Sequence, residues 1–534
     1  MSRTLVIGLD AATWRVMSPL IKQNKLPNIQ YLIQQGVSGK LRSTVPPMTP
    51  PAWTSIITGV NPGKHGIYDF TKQDRDTYQI IPVEYWKMPQ PAIWDIFNMQ
   101  NKKVGVFNFP QAFPPPEIKS FFISGIFSPK KKDIAYPSEL NKFLKSQGYR
   151  IYPRFEARNG VKRYFNEVKK LTEIQCRTAL ELMLTKEWDL FWIVFQGIDW
   201  IQHYLWSSSI SGESAVAAFY GYMDKVVGSF LDHAEKDWNI LILSDHGFQK
   251  INAEIHLNRI LEKWGYLKRK EFPEKKAGII KKKAVKTGWE IAQKCPFFIK
   301  QMIRRNITDG LRSEIKKVRR EHLNLSKVVD WENTKAFSFG YMGRIYIHEK
   351  GKYSKGIVKK GVEYENLCEE IIEKLKTLQD PYTKAPIVGD IFHKKDLYSG
   401  EQLDYAPDIV FNSSNFEYMC YGDFGETWIN PPAGRQADHD MNGIFVIKGN
   451  GIRENIKINA QVIDITPTLL YLQGLPVLKE MDGRVLKEVF NEKFKKGNKL
   501  QSVDSFSLRK RKKYQMTKKE QQNIEKRLKD LGYL

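Results

Sequence analysis

The chain has 534 residues, 42% hydrophobic and 12% aromatic, which is enough apolar side chain for a large interior and excludes a disordered chain. Lys and Arg (84) outnumber Asp and Glu (59), and the formal charge of +25 favours anionic partners: phosphorylated substrates, nucleic acid or an acidic membrane surface. Cys176, Cys295, Cys368 and Cys420 lie far apart without a CxxC pair, which argues against a disulfide framework or thiolate zinc site and leads us to expect a reducing, cytoplasmic setting.

The apolar run at 5–9 is too short for a signal-peptide core, and no later stretch reaches the roughly 20 apolar residues of a membrane span. In chain order, 4–9 reads as a buried strand ending at Asp10, and 25–35 as a helix closed by Gly36. A Pro-rich stretch, VPPMTPPAWTSIITGVNPGKHGIYDF (45–70), then places Thr49 where an apolar helix begins. A helix over 91–99, strands over 103–109 and 121–125, a long helix over 161–186 and a strand over 189–195 follow. The pattern continues with a helix over 215–235 and a strand over 239–243 that ends at Ser244-Asp245-His246-Gly247.

Between 268 and 320 the chain carries eighteen Lys and Arg against five Asp and Glu, so we expect a basic, mostly helical cap inserted over 251–334. Alternation resumes with strands at 344–347, 408–411 and 443–448 and helices over 364–378 and 464–472. The expected domains are a catalytic core in two parts, 1–250 and 335–490, the insertion between them, and a basic tail over 491–534 with a short helix. Alternating strands and helices predict an α/β fold with a mainly parallel central sheet and helices on both faces.

In such sheets ligands bind beyond the carboxyl ends of the strands, where Asp10, Asp199, Asp245 and His246 all fall. Asp199 and His203 are spaced i, i+4, so a helix presents them on one face, suited to holding one ion between carboxylate and imidazole. His439, just before the 443–448 strand, adds an imidazole, and the set suffices for two metals. Taken alone, Thr49-Pro50 reads as a helix N-cap followed by proline at N1, Asp10 as a cap for the next helix, Asp199–His203 as a solvated pair, and His65 as a hydrogen-bonded brace in its loop.

Asp10, Thr49 in MTPPAWTSIITGVNPGKHG, Asp199-x-x-x-His203, Asp245-His246-Gly247 and His439 together resemble the alkaline phosphatase superfamily, and within it the type I phosphodiesterase/nucleotide pyrophosphatase branch. The resemblance extends to the DITPTLLYLQGLPV and MDGRVL segments near the end and leaves out the basic insertion and the tail. It implies an alkaline phosphatase-like fold, Thr49 as nucleophile, one metal held by Asp199, His203 and His439, and a second surrounded by Asp10, Thr49, Asp245 and His246. The metals of this branch are usually zinc, and the same oxygen and nitrogen donors also suit manganese. The asparagine with which the nucleotide pyrophosphatases hold a phosphate oxygen has no clear counterpart here.

A metal ion lowers the pKa of a bound hydroxyl, which makes a threonine competent as a nucleophile. The expected activity is therefore metal-dependent hydrolysis of phosphodiester or pyrophosphate bonds, with N–H groups at the helix start after Thr49 assisting the phosphoryl oxygens. Phosphomonoester hydrolysis is the alternative within the superfamily. Thr49-Pro50-Pro51-Ala52 does not supply the C/S-x-P-x-R setting of a sulfatase, and a cofactor-independent phosphoglycerate mutase normally uses serine. The rival from another class is a peripheral anion- or membrane-binding protein acting through the basic insertion with its Trp264, Trp289, Phe297 and Phe298. A lipid-linked phosphate would reconcile the two readings, and there is no recognised nucleic-acid reader motif.

Overall fold

Runs of consecutive apolar residues can hide both faces only between two layers, and these runs form the centre of one large sheet. The computed structural model describes residues 2–129, 132–155, 157–270, 325–425, 427–432, 435–504, 514 and 516–530. In chain order its strands include β1 (Thr4–Leu9), β2 (Val37–Arg42), β3 (Val104–Phe109), β4 (Ser120–Ser124), β5 (Ala135–Tyr136), β6 (Leu190–Phe195) and β7 (Asn239–Leu243). They continue with β8 (Gly247–Lys250), β9 (Gly343–Ile347), β10 (Val388–His393), β11 (Ile409–Ser413), β12 (Ala437–Asp440) and β13 (Asn442–Lys448).

The central sheet runs β2-β13-β7-β1-β6-β3-β4-β5, with Ile456–Lys457 beside β2 at the far edge. Strands β7, β1, β6, β3 and β4 are mutually parallel. Strand β13, which the alternating pattern left undirected, is antiparallel to both β2 and β7, and β5 is antiparallel to β4. The fold is the expected alkaline phosphatase-like α/β arrangement.

Alternation of side chains divides the strands between two cores. Leu5, Ile7 and Leu9 of β1 and Phe191, Ile193 and Phe195 of β6 face one core; Val6, Leu190, Trp192 and Val194 face the other. The first core is covered by helices α1 (Trp14–Lys22), α2 (Pro27–Gln34), and two longer ones at Val161–Thr185 and Ala215–Leu231. The second is covered by α3 (Thr49–Thr58), the helix at Ile93–Met99 and the helix at Ile465–Leu472. Helix α1, absent from the sequence reading, holds Pro19 in its interior and is capped by Thr13, whose hydroxyl accepts the Arg15 N–H at 3.3 Å. Asp10 is thus not the cap of that helix.

A smaller antiparallel sheet, Ala336–Phe337 with β9, β11 and β10, has its own core under the helix at Val362–Lys376. Of the expected insertion over 251–334, residues 251–270 and 325–334 are described, and Ile255, Leu261, Tyr266, Val328 and Trp331 pack into this second core. The rest of the basic segment, with Trp289, Phe297 and Phe298, lies outside the described residues, as does Cys295; Cys176, Cys368 and Cys420 are buried and free. A fully buried pair ties the sheets together: Arg344 on β9 donates to the Asp69 carboxylate and, through Nε, to the Tyr341 carbonyl at 3.1 Å. Among the described residues, no helix is long and apolar enough to cross a membrane.

Candidate metal centre and active site

Every element carrying an expected site residue ends at the same rim. Asp10 follows β1, and the next residue, Ala11, has φ 65°, an uncommon backbone for a side chain with Cβ. That conformation is pinned from both sides: Ala11 N–H donates to Asp245 Oδ1 at 3.2 Å, and its carbonyl accepts Gln202 Nε2 at 2.9 Å. Trp53 Nε1 donates to Asp10 Oδ2 at 3.3 Å, and Gly8 leaves room for the indole, since a Cβ there would lie 2.5 Å from it. Asp199 and His203 share the helix α4 (Gly197–Leu205) that opens after β6, and both are buried, which removes the solvated-pair reading. Strand β8 pairs with β12 with Phe248 opposite His439, so the register of that hairpin brings His439 beside His246. Their rings stack with centroids 3.7 Å apart.

Thr49 is the first helical residue of α3, and Met48 holds the extended cap position with no side-chain capping bond. The sequence reading placed Thr49 at the cap itself; its hydroxyl is instead turned toward the rim, 3.3 Å from His246 Nε2. The helix start does not offer the expected row of N–H groups. Pro50 and Pro51 have none, and Ala52 N–H is taken by the Met48 carbonyl at 3.0 Å. The two prolines fix this first turn, all ten residues of α3 are buried, and Gly59 ends it in the left-handed conformation at φ 71°.

Each imidazole has one nitrogen committed. Nδ1 of His203, His246 and His439 lies 3.1, 3.0 and 3.0 Å from the carbonyls of Ala437, Gly247 and Pro47, so each carries its proton there and presents Nε2 as a lone pair. His203 Nε2 and His439 Nε2 lie 3.2 and 3.5 Å from Asp199 Oδ1, and His246 Nε2 lies 3.2 Å from Asp245 Oδ2 and 3.9 Å from Asp10 Oδ1. Asp10 Oδ1, Asp245 Oδ2 and His439 Nε2 are buried acceptors without a hydrogen-bond partner. Lone pairs facing carboxylate oxygens with no proton between them call for cations, and three overlapping ligand groups form: Asp10/Asp245/His246, Asp199/His246/His439, and His203/Asp438/His439. The donor set fits the expected metals.

The titration behaviour records the same crowding. Burial, then the charges of Asp245 and Asp199, push the Asp10 carboxyl well up; burial is also the main cause of Asp245 rising to about 7. Asp199 is held well below the usual range because His203 and His439 outweigh its burial. Burial pushes His203 and His246 down, whereas Asp438 and Asp199 outweigh it at His439 and raise that group.

The sequence reading missed Asp438 and Arg435. Asp438 Oδ1 lies 3.7 Å from His439 Nε2, and Arg435 donates to Asp438 Oδ2 at 2.8 Å, holding that carboxyl at about 2 against the opposing effect of burial. A signal was present: Asp438-His439 repeats the adjacency that flagged Asp245-His246. His65 is the loop brace expected of it, with Ser55 Oγ 3.0 Å from Nε2 and the Ile67 N–H donating to Nδ1 at 3.1 Å.

Sheet and rim define an alkaline phosphatase-like protein with a buried cluster of carboxylates and imidazoles. The family model for type I phosphodiesterase / nucleotide pyrophosphatase matches residues 4–437, and the chain belongs to that family. It is a hydrolase of phosphoester or pyrophosphate bonds acting on phosphorylated substrates. Among solved structures it is similar to phosphonoacetate hydrolase from Sinorhizobium meliloti 1021 in complex with phosphonoformate, at 13% identity and TM-score 0.54 over 87% of this chain and 94% of that one. It is also similar to an inactive threonine-to-alanine variant of murine ectonucleotide pyrophosphatase/phosphodiesterase 5 in complex with AMP, at 12% identity and TM-score 0.53 over 92% of this chain and all of that one. No curated protein matches the chain.

Proposed function

We propose that the chain is a metal-dependent phosphodiesterase or pyrophosphatase that uses Thr49 as nucleophile beside two divalent ions, zinc or, with the same donors, manganese. The observation that carries this is Thr49 Oγ1 at the rigid start of α3, 3.3 Å from an imidazole lone pair and inside a cluster of buried acceptors. Asp199, His203 and His439 would hold one ion, with Asp438 at its edge; Asp10, Asp245, His246 and Thr49 Oγ1 would hold the other. When bound, the ions supply the positive charge that stabilises a deprotonated hydroxyl and the phosphoryl oxygens.

Thr49 Oγ1 loses its proton and attacks phosphorus; the bond from phosphorus to the leaving oxygen breaks, leaving phosphothreonine. Water then attacks from the side the leaving group vacated, and its oxygen goes to phosphate while Thr49 regains its proton. The proline-braced turn fixes the direction of attack, and burial of the cluster keeps bulk water from competing.

Thr49→Ala is expected to lower kcat on bis-p-nitrophenyl phosphate at least about a thousandfold, Thr49→Ser to keep measurable turnover, and chelation to abolish activity that added zinc or manganese restores. Equal rates for wild type and Thr49→Ala would overturn the assignment.

A further inference from the structure

On the side of His439 away from Thr49 lies a cavity of about 10 Å³, lined among others by His439, Asp438, Met342, Phe411, Asn412 and Phe416. Thr49, Asp10, Asp245 and His246 take no part in its wall. The contacts run in series: Thr49 on His246, His246 stacked on His439, His439 on the cavity. In an in-line displacement the group that leaves stands opposite the group that attacks, so the cavity is where a leaving group would stand.

Two features show that this wall is built for recognition. Asn412, on β11, is 6% exposed, and its Oδ1 has no hydrogen-bond partner. A carbonyl oxygen can only accept, so it asks the occupant for a donor. The wall continues through Asn415 and Phe416, consecutive non-glycine residues with φ 51° and 58°, and Gln249 Nε2 secures this turn by donating to the Asn415 carbonyl at 2.6 Å. Strained backbone held in place by a specific side chain is characteristic of ligand sites.

We infer that this cavity receives the leaving alcohol and that Asn412 Oδ1 reads a hydroxyl on it, so that the preferred substrates are phosphoesters of short polyols and not of nucleosides. The inference rests on the proposed phosphoester hydrolysis through Thr49. A space of about 10 Å³ admits one water-sized group. A second hydroxyl one carbon from the ester oxygen matches that space, whereas a nucleoside does not. Aromatic and thioether walls contact the carbon skeleton, and the amide oxygen supplies the polar selection.

The test compares methyl 2,3-dihydroxypropyl phosphate with methyl propyl phosphate, following the released alcohol. Wild type is expected to favour the diol at least tenfold in kcat/KM, Asn412→Leu to bring the two rates within about threefold, and Asn412→Asp, which still accepts, to keep the preference. The readout is the ratio, so a general loss of activity does not imitate the result, and if the leucine variant does not fold, the wild-type and aspartate ratios decide. No preference in wild type means that the cavity holds an ordered water only and overturns the inference, as does an unchanged ratio in Asn412→Leu or a lost one in Asn412→Asp. Failure of the underlying reading is separate: Thr49→Ala would then match wild type on bis-p-nitrophenyl phosphate.

Discussion

Neutral His65 braces the turn that leaves α3, and burial pushes its pKa down to about 3. The unfolded chain takes up a proton near pH 6.5 that the folded chain refuses, so this stabilisation is complete above that value and is lost as pH falls toward 3. The slope approaches about 1.4 kcal/mol per pH unit. Urea unfolding at pH 6 and pH 5 should therefore show wild type losing about 1 kcal/mol more than His65→Gln, and equal losses would mean that the imidazole is protonated in the fold. At this scale the sequence told residue types well and their exact posts less well. Thr49 stands one position inside the helix because Met48, extended, takes the cap. Asp438 was hidden because its role depends on Arg435, and that contact exists only once β12 is placed.

At the scale of elements, legibility followed burial. Strands β1, β3, β6 and β7 are buried at every position and read directly as apolar runs. Strand β2, VSGKLR, is half polar and contains Gly39, where a Cβ would lie 1.5 Å from the Ile458 carbonyl; close approach of another segment shaped that sequence, and nothing local announces it. Chain direction was also unreadable, since GIFVIK serves a parallel or an antiparallel strand equally well. The C-terminal helix at Lys518–Asp530 was expected, but not its anchorage. Tyr514 meets Trp86 and Phe113 edge-on with centroids 5.4 and 5.5 Å apart, Glu520 pairs with Lys132 at 2.8 Å, and Ile524 is buried. Truncation before residue 514 should uncover this aromatic groove, lower stability by about 2–5 kcal/mol from two lost apolar burials, and raise binding of a hydrophobic dye. Unchanged dye binding would show that the helix contributes nothing there.

For the whole molecule, the cluster of buried carboxylates sets a balance that metal binding should shift. A ligand that binds only the folded state stabilises it by RT ln(1 + [L]/Kd), about 2.7 kcal/mol at a hundredfold excess over Kd. Chelation should therefore lower the thermal midpoint, and zinc or manganese should restore it, in Thr49→Ala as in wild type, because the carboxylates and imidazoles remain. A midpoint indifferent to chelator would separate the cluster from any resident ion. The class of fold was legible in the alternation of strands and helices; the small antiparallel sheet was less so, because β10 carries polar residues at 389–390 and borrows its core from distant segments.

Strand β13 fills the gap between β2 and β7, partners that precede it by roughly four hundred and two hundred residues. During synthesis, the first half of the protein leaves the ribosome with two open sheet edges, and they stay open until residue 448 is available. His439 travels on β12, separated from β13 only by Met441, so the strand that seals the sheet also delivers the final imidazole to the rim. Nascent or prematurely terminated chains thus reach neither closure nor a complete ligand set, and hydrolytic capacity is acquired as the last act of folding.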